Sequence, residues 1–327
     1  MMNKKIAAVV IGRNEGQRLV TCLESLLNQV DYIVYVDSGS SDNSVYEAES
    51  RQVDCLSLDL SIPFTAARAR NEGVAYLIDK YPALKYIQFI DGDCELQPDW
   101  VNTAYDFLEK EPHYAVACGR RRERFPENSI YNQLCDIEWN TPVGDALACG
   151  GDALIRVGAF NQVEGYRDGL IAGEEPEMCF RLRAKAWKIR RLDAEMTLHD
   201  AAMTRFSQWW KRAKRAGHAY AESYFLHGRS VEKFRAKPVM SVVFWAVVLP
   251  VLLIALSIID CGLIVMGLIY PAQVFRLSIK NKAFLNSKLS FYYAVSNVLG
   301  KFPQALGMMQ FLFNKIKGQS GVLIEYK

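Results

Sequence analysis

The chain has 327 residues, half of them hydrophobic, and a formal net charge of only +3. That length exceeds what one core needs, so a large domain with an appendage is expected. The near-balanced charge speaks against a nucleic-acid binder. Eight scattered cysteines without C-x-x-C pairs indicate neither a zinc site nor a disulfide framework, which fits a reduced, cytoplasmic setting for the soluble part.

Ile6–Ile11 reads as a short buried strand. Lys4 and Lys5 precede it as they would in a signal peptide, but the apolar run is too short and Arg13-Asn14-Glu15 follows without a cleavage-like site. Leu19, Leu23, Leu26, Leu27 and Val30 recur at helical spacing and predict an amphipathic helix. Tyr32–Val36 is a second strand, closed by the polar loop Asp37–Ser44, which also suits a helix cap. Val53–Leu58 reads as a third strand. Thr65–Lys80 reads as a helix with Arg68, Arg70 and Asn71 on its first turns; Arg68 fits a solvated face. Lys85–Ile90 is an apolar and aromatic strand that stops at Asp91-Gly92-Asp93. In open α/β sheets ligands sit outside the carboxyl ends of the strands. Two carboxylates there suit Mn²⁺ or Mg²⁺ carrying a diphosphate, although Asp-Gly-Asp is also good turn chemistry. Strand–helix alternation with polar strand ends predicts an α/β sheet that binds a nucleotide.

Further along, Ala115–Gly119 reads as a strand, followed by an arginine-rich loop, Arg120–Arg124. That loop has two readings, a holder of an acceptor phosphate or a solvated surface. Gly150 and Gly151 would let a sugar approach the backbone, or simply permit a bend. Glu174, Glu175 and Glu177 around Pro176 form a helix N-terminal signature. Lys188–Leu192 is a further strand, with Thr197-Leu198-His199-Asp200 beyond it.

Four motifs occur in order: Val9-Val10-Ile11-Gly12-Arg13-Asn14-Glu15, Val36-Asp37-Ser38-Gly39-Ser40-Ser41-Asp42, Ala69-Arg70-Asn71-Glu72-Gly73 and Phe89-Ile90-Asp91-Gly92-Asp93. Together they resemble the nucleotide-sugar half of family 2 glycosyltransferases, which have the GT-A fold; the match covers roughly the first 230 residues. The resemblance implies donor binding by Gly12, Asp37, Arg70, Asp91 and Asp93, and acceptor contact at Gly150 and Gly151. It implies a metal held by Asp91, Asp93 and His199, with His199 equally open to a structural role. Glu175 matches the family's catalytic base, which takes the proton from the acceptor hydroxyl. Glu175 stands where an aspartate is usual, so Glu174 is its rival. Ser38 replaces a second acid common in relatives, which leaves the donor nucleotide open.

Between Arg205 and Lys237, nine Lys and Arg face only Glu222 and Glu232. Aromatic residues interleave with them along a helix over Arg205–Phe225, a composition suited to anionic lipid. Val239–Ile259 is a 21-residue apolar stretch, long enough to span a bilayer. Gly262–Phe275, interrupted by Pro271, would return partway, making an apolar hairpin over 239–275 with cations flanking both ends. Phe291–Ile316 is a less apolar amphipathic segment. The expected organisation is therefore a GT-A domain over 1–230 and a membrane-associated helical region over 231–327. The expected activity is inverting, metal-dependent transfer of a sugar from a nucleotide-sugar donor to a lipid-linked or membrane-held glycan, in cell-surface polysaccharide synthesis. Its expected place is the cytoplasmic face of the inner or plasma membrane, in contact with membrane lipids. The alternatives are a nucleotidyltransferase of similar fold and a non-catalytic membrane-tethered scaffold.

Overall fold

The computed structural model describes residues 5–318; Met1 to Lys4, part of the signal-like start, lie outside the described residues, as does the Cys261 side chain. Two compact units divide at 202/203. In the first, nine strands form one sheet: β1 (Ile6–Gly12), β2 (Tyr32–Asp37), β3 (Asp54–Ser57), β4 (Tyr86–Asp91), β5 (Cys94–Leu96), β6 (Tyr114–Glu123), β7 (Gly144–Asp145), β8 (Ala153–Arg156) and β9 (Lys188–His199). Their order is β3-β2-β1-β4-β8-β6-β9-β5, with β7 paired to β9. The first four are mutually parallel, and β8 enters antiparallel between β4 and β6.

Seven helices accompany the sheet: α1 (Gln17–Leu26), α2 (Ser44–Ser50), α3 (Ala66–Lys80), α4 (Trp100–Lys110), α5 (Ile130–Trp139), α6 (Val157–Gln162) and α7 (Glu174–Ala184). Because β1 and β4 are covered on both faces, their apolar residues run without alternation, as buried parallel strands do. Gln88 is the polar exception in β4: its amide donates to the Phe89 carbonyl and accepts from Trp100 Nε1 at 2.9 Å, so burial leaves neither end unpaired. Gly73 on α3 lies against β1 and β2, where an added Cβ would come within 2.6 Å of Val9 and 2.9 Å of Val36. That close seat brings Arg70, one turn earlier, to the carboxyl end of the sheet.

Two strands run further than the sequence suggests. Arg120–Arg122 are not a loop but the end of β6, and each of them meets a carboxylate: Arg120 meets Asp136, Arg121 meets Asp152 and Arg122 meets Glu195. Arg124, just beyond, pairs with Glu95. The segment through Glu123 is therefore strand rather than loop, with Arg121 enclosed and Arg122 half exposed. β9 likewise continues past Leu192 to His199, since the charged Asp193 and Glu195 point to its open side while Met196, Thr197 and His199 are buried.

The second unit contains α8 (Phe206–His227), a continuous helical stretch Ala236–Ile259 with a π-helical turn at Phe244–Val248, and helices Ile269–Asn281, Ser287–Leu299 and Lys301–Ile316. The expected boundary near 230 would put α8 with the sheet; here α8 belongs to the second unit and crosses Lys301–Ile316 backbone to backbone. An added Cβ on Gly217 would run into the Gln304 carbonyl, and one on Gly307 into the Lys214 carbonyl. Small residues permit such crossings. Among the described residues, Ala236–Ile259 is the one helix long and apolar enough to cross a membrane. The returning limb is a 3₁₀ turn, Cys261–Leu268, followed by the Ile269–Asn281 helix.

Candidate functional site

The carboxyl ends of β1, β2 and β4 present Gly12, Asp37 and Asp91 side by side, because the parallel register pairs Gly12 with Asp37 and Ile11 with Asp91. Asp37 is buried and both of its oxygens are engaged locally. Oδ2 accepts the Gly39 and Ser40 backbone N–H groups at 3.0 and 2.9 Å; Oδ1 accepts the Tyr35 and Ser40 hydroxyls. Its carboxylate holds the loop after β2 in shape.

Asp91 lies between two guanidinium groups. Arg70 Nη2 donates to its Oδ1 at 2.7 Å and Arg121 Nη2 to its Oδ2 at 3.3 Å. Arg70 also donates from Nη1 to Glu174 Oε1 at 2.9 Å and stacks 5.6 Å from the Tyr166 ring centre. Burial works against the charge on Arg70, but Asp91, Tyr166 and Glu174 outweigh it and hold its pKa above the ordinary value. Its Nε, also buried, has no hydrogen-bond partner among the described residues. Arg121 is tied to Asp152, which is wholly buried and also accepts from Thr197 Oγ1 and the Asp91 backbone N–H. The result is an acid flanked by two fixed cations at the mouth of the sheet, a geometry suited to anionic oxygens.

Asp93 and His199 meet because β5 pairs with β9, placing Cys94 opposite His199. Asp93 Oδ2 is 3.4 Å from His199 Nε2, and Glu123 Oε2 is 4.0 Å from His199 Nδ1. Glu123 is buried and burial pushes its carboxyl up to about 7. The donor atoms of Asp93, Cys94 and His199 lie within 4.8 Å of one another, whereas Asp91 falls in a separate group with Cys94 and Asp152. The structure thus gathers Asp93 and His199 around one point and gives the Asp91 carboxylate to the arginines. Carboxylate and imidazole donors converging in this way fit a divalent cation such as Mn²⁺.

Glu174 and Glu175 both sit in the first turn of α7, after Gly173 in the left-handed region (φ 78°). They face different neighbours. Glu174 is drawn to Arg70. Glu175 accepts the Cys149 backbone N–H at 2.6 Å and the Cys179 thiol at 2.9 Å, both on Oε1. Its Oε2 has no hydrogen-bond partner among the described residues. Cys149 opens the glycine stretch, and Gly151 closes it against the arginine cluster: an added Cβ there would lie 3.1 Å from Asp91 Oδ2, 3.2 Å from Arg121 and 3.4 Å from Arg70. Gly150 has φ +84° with open space where a Cβ would go. One three-residue segment therefore touches Glu175 at one end and Asp91 at the other.

Some participants and partnerships are not visible in the sequence. Asp152 and its pairing with Arg121 emerge only with β6 running past Gly119, where alternation sets Arg121 on the face opposite Arg120 and Arg122. Asn71 holds the 165–168 turn, donating to the Tyr166 carbonyl and Asp168 and accepting the Tyr166 N–H. Arg68, expected on a solvated helix face, is instead buried, because its guanidinium donates to the Asp59 and Ile62 carbonyls and to Glu72.

Residues 8–160 match the family model described as "Glycosyl transferase family 2". A curated relative, the glucosyl-dolichyl phosphate glucuronosyltransferase of Haloferax volcanii, is 24% identical over 185 residues, covering 49% of this chain and 56% of its own; the chain thus spans little more than half that relative's length. Among solved structures, the mannosyltransferase PcManGT of Pyrobaculum calidifontis, in complex with GDP-Man and Mn²⁺, superposes with a TM-score of 0.57 at 13% identity, over 95% of this chain and 88% of that one. S. aureus TarS 1–349 gives a TM-score of 0.50 at 13% identity, over 96% and 92%.

Proposed function

We propose that this chain, whose residues 8–160 match the family 2 glycosyltransferase model and whose sheet domain has the GT-A fold, transfers a sugar, with inversion, from a nucleotide-sugar donor to a hydroxyl of a lipid-linked or membrane-held glycan. The observation that supports this most is the 149–151 segment, which contacts Glu175 through the Cys149 N–H and abuts Asp91, Arg70 and Arg121 through Gly151. It joins a carboxylate suited to proton removal to a pair of fixed guanidinium groups whose N–H donors suit diphosphate oxygens.

In this reading the donor diphosphate lies against Arg70 and Arg121. Their planar donors are held in place by Asp91, Asp152 and Glu174 before any ligand arrives, so little reorganisation is needed as charge develops. The orphaned Arg70 Nε would gain an acceptor. Asp93 and His199 would hold Mn²⁺ or Mg²⁺, which when bound supplies Lewis-acid charge to the leaving diphosphate. The acceptor hydroxyl approaches over Gly150 and Gly151 and gives its proton to Glu175 Oε2, whose partner oxygen is anchored by the Cys149 N–H. Attack from the side opposite the leaving group inverts the anomeric centre. Glu174, ion-paired with Arg70, positions the guanidinium.

The Ala236–Ile259 helix would hold the enzyme in the inner or plasma membrane with its sheet domain on the cytoplasmic face, raising the local concentration of a lipid-borne acceptor. Metal-dependent thermal stabilisation by a panel of nucleotide sugars tests the donor half of the proposal. A donor at 100 times its dissociation constant adds about 2.7 kcal/mol. The expected result is stabilisation by one donor with Mn²⁺ present that disappears in Asp93→Asn. Equal stabilisation with and without metal would remove Asp93 and His199 from the proposed role, and release of pyrophosphate instead of nucleoside diphosphate would indicate a nucleotidyltransferase.

A further inference from the structure

The second unit contains a cavity of about 510 Å³ among the Ala236–Ile259, Ile269–Asn281, Ser287–Leu299 and Lys301–Ile316 helices. The charges in its lining are of one sign. Lys280 and Lys301 both border it, with Gln273 and Asn281, while no carboxylate does. Neither lysine forms an ion pair among the described residues. Lys301 is partly enclosed, and burial lowers its pKa, the signature of a cation without a compensating charge nearby. Trp245 and Phe284 supply an apolar and aromatic wall. Two cations, several amides and aromatic rings around one space describe a receptor for an anion attached to an apolar tail.

The cavity's place along the chain narrows the ligand. Trp245 belongs to the first half of the Ala236–Ile259 helix, the end preceded by the basic Arg205–Lys237 segment. Tryptophan and flanking lysines concentrate at the headgroup level of a bilayer. A lysine near an anionic leaflet contributes to lipid attraction.

We propose that this cavity binds the phosphate headgroup of an anionic membrane phospholipid, seating it between Lys280 and Lys301 with its acyl chains along Trp245 and Phe284. The inference rests on the membrane association proposed above. It adds a specific lipid site, remote in sequence from the donor and acceptor residues, to an otherwise non-selective apolar anchor.

The test is flotation of the purified full chain with phosphatidylcholine vesicles, with and without phosphatidylglycerol, for wild type and a Lys280→Gln/Lys301→Gln variant. A Lys280→Arg/Lys301→Arg variant serves as charge rescue, and circular dichroism confirms that each variant is folded. Two lysines together are expected to account for about a 30-fold preference for the anionic vesicles. The double glutamine variant should lose that increment and the double arginine variant recover it. Native mass spectrometry from detergent should show one retained phosphatidylglycerol in wild type and none in the glutamine variant. Equal binding of all variants to anionic vesicles would overturn the lipid site while leaving membrane association intact. Failure to float with either vesicle would overturn membrane association and the site with it. Stabilisation by inorganic phosphate equal to that by short-chain phosphatidylglycerol would overturn the lipid and assign the cavity to a soluble phosphate. Should the glutamine variant fail to fold, Lys280→Gln alone, at an exposed position, carries the comparison, and no loss of preference there overturns the proposal.

Discussion

Replacing Arg70 by methionine tests whether the site is held together by charge. The guanidinium is 3% exposed and bridges Asp91 at 2.7 Å and Glu174 at 2.9 Å. Methionine keeps much of the apolar length but leaves two carboxylates facing each other. Removing one partner of a buried pair costs about 3–5 kcal/mol. Here Asp91 retains Arg121 at 3.3 Å and is itself 28% exposed, so water and a second cation share the burden and the lower end, about 3 kcal/mol, applies. For a unit of this size each kcal/mol lowers the melting temperature by about 2–4 °C, giving a fall of about 6–12 °C. Differential scanning fluorimetry of purified wild type, Arg70→Met and Arg70→Lys provides the comparison. Lysine keeps the charge but makes one contact instead of two, so its melting point should fall between the others. A loss below about 1 kcal/mol in Arg70→Met would show that Asp91 and Glu174 do not depend on this bridge.

The two adjacent glycines should fail for different reasons. Gly150→Ala places a side chain at φ +84° in open space, so only backbone strain of about 1 kcal/mol is expected in urea unfolding, with the ion cluster intact. Gly151→Val pushes into Asp91, Arg121 and Arg70; it should cost about 1–3 kcal/mol and abolish donor-dependent stabilisation, and retention of donor binding would place the diphosphate elsewhere. In the second unit, burial pushes Glu222 up to about 7, while burial and Lys214 bring the adjacent His218 down to about 4. A carboxyl whose pKa is raised by folding weakens the fold as pH climbs from its unfolded value, about 4.3, to 7, because only the unfolded chain then releases the proton freely. Glu222→Gln should therefore gain on wild type steadily between pH 5 and pH 7 in melts recorded in detergent, and hold a constant advantage above that; a constant difference from pH 5 upward would refute the burial argument.

The parallel half of the sheet was legible because buried strands read as unbroken apolar runs, and Ile6–Ile11 and Lys85–Ile90 are such runs. The acidic turn after β4 was legible for the same reason, since the run ends abruptly at Asp91. What the sequence concealed is how those acids are partnered. Nothing local to Asp91 says that Arg121, thirty positions later, reaches it; that follows from β6 continuing through three arginines, which on composition look like a surface loop. His199 is suggested by resemblance alone, and its meeting with Asp93 depends on β9 running through Asp193 and Glu195, polar residues that ordinarily end a strand. The division of labour between Glu174 and Glu175 was invisible for a different reason. Adjacent residues at a helix start point about 100° apart, so only tertiary contacts decide which one meets Arg70 and which meets Cys149. The α8 boundary depended on Gly217 and Gly307, two small residues far apart in sequence that mark one crossing.

In the proposed reaction Glu175 takes the acceptor proton while Glu174 only orients Arg70. Once a donor and acceptor pair is in hand, nucleoside diphosphate release by Glu175→Gln and Glu174→Gln decides it. The expected result is a fall in kcat of about 10²–10⁴-fold for Glu175→Gln with little change in donor KM, and a smaller kcat loss with a raised donor KM for Glu174→Gln. Near-normal kcat in Glu175→Gln, or the opposite pattern between the two, would contradict it.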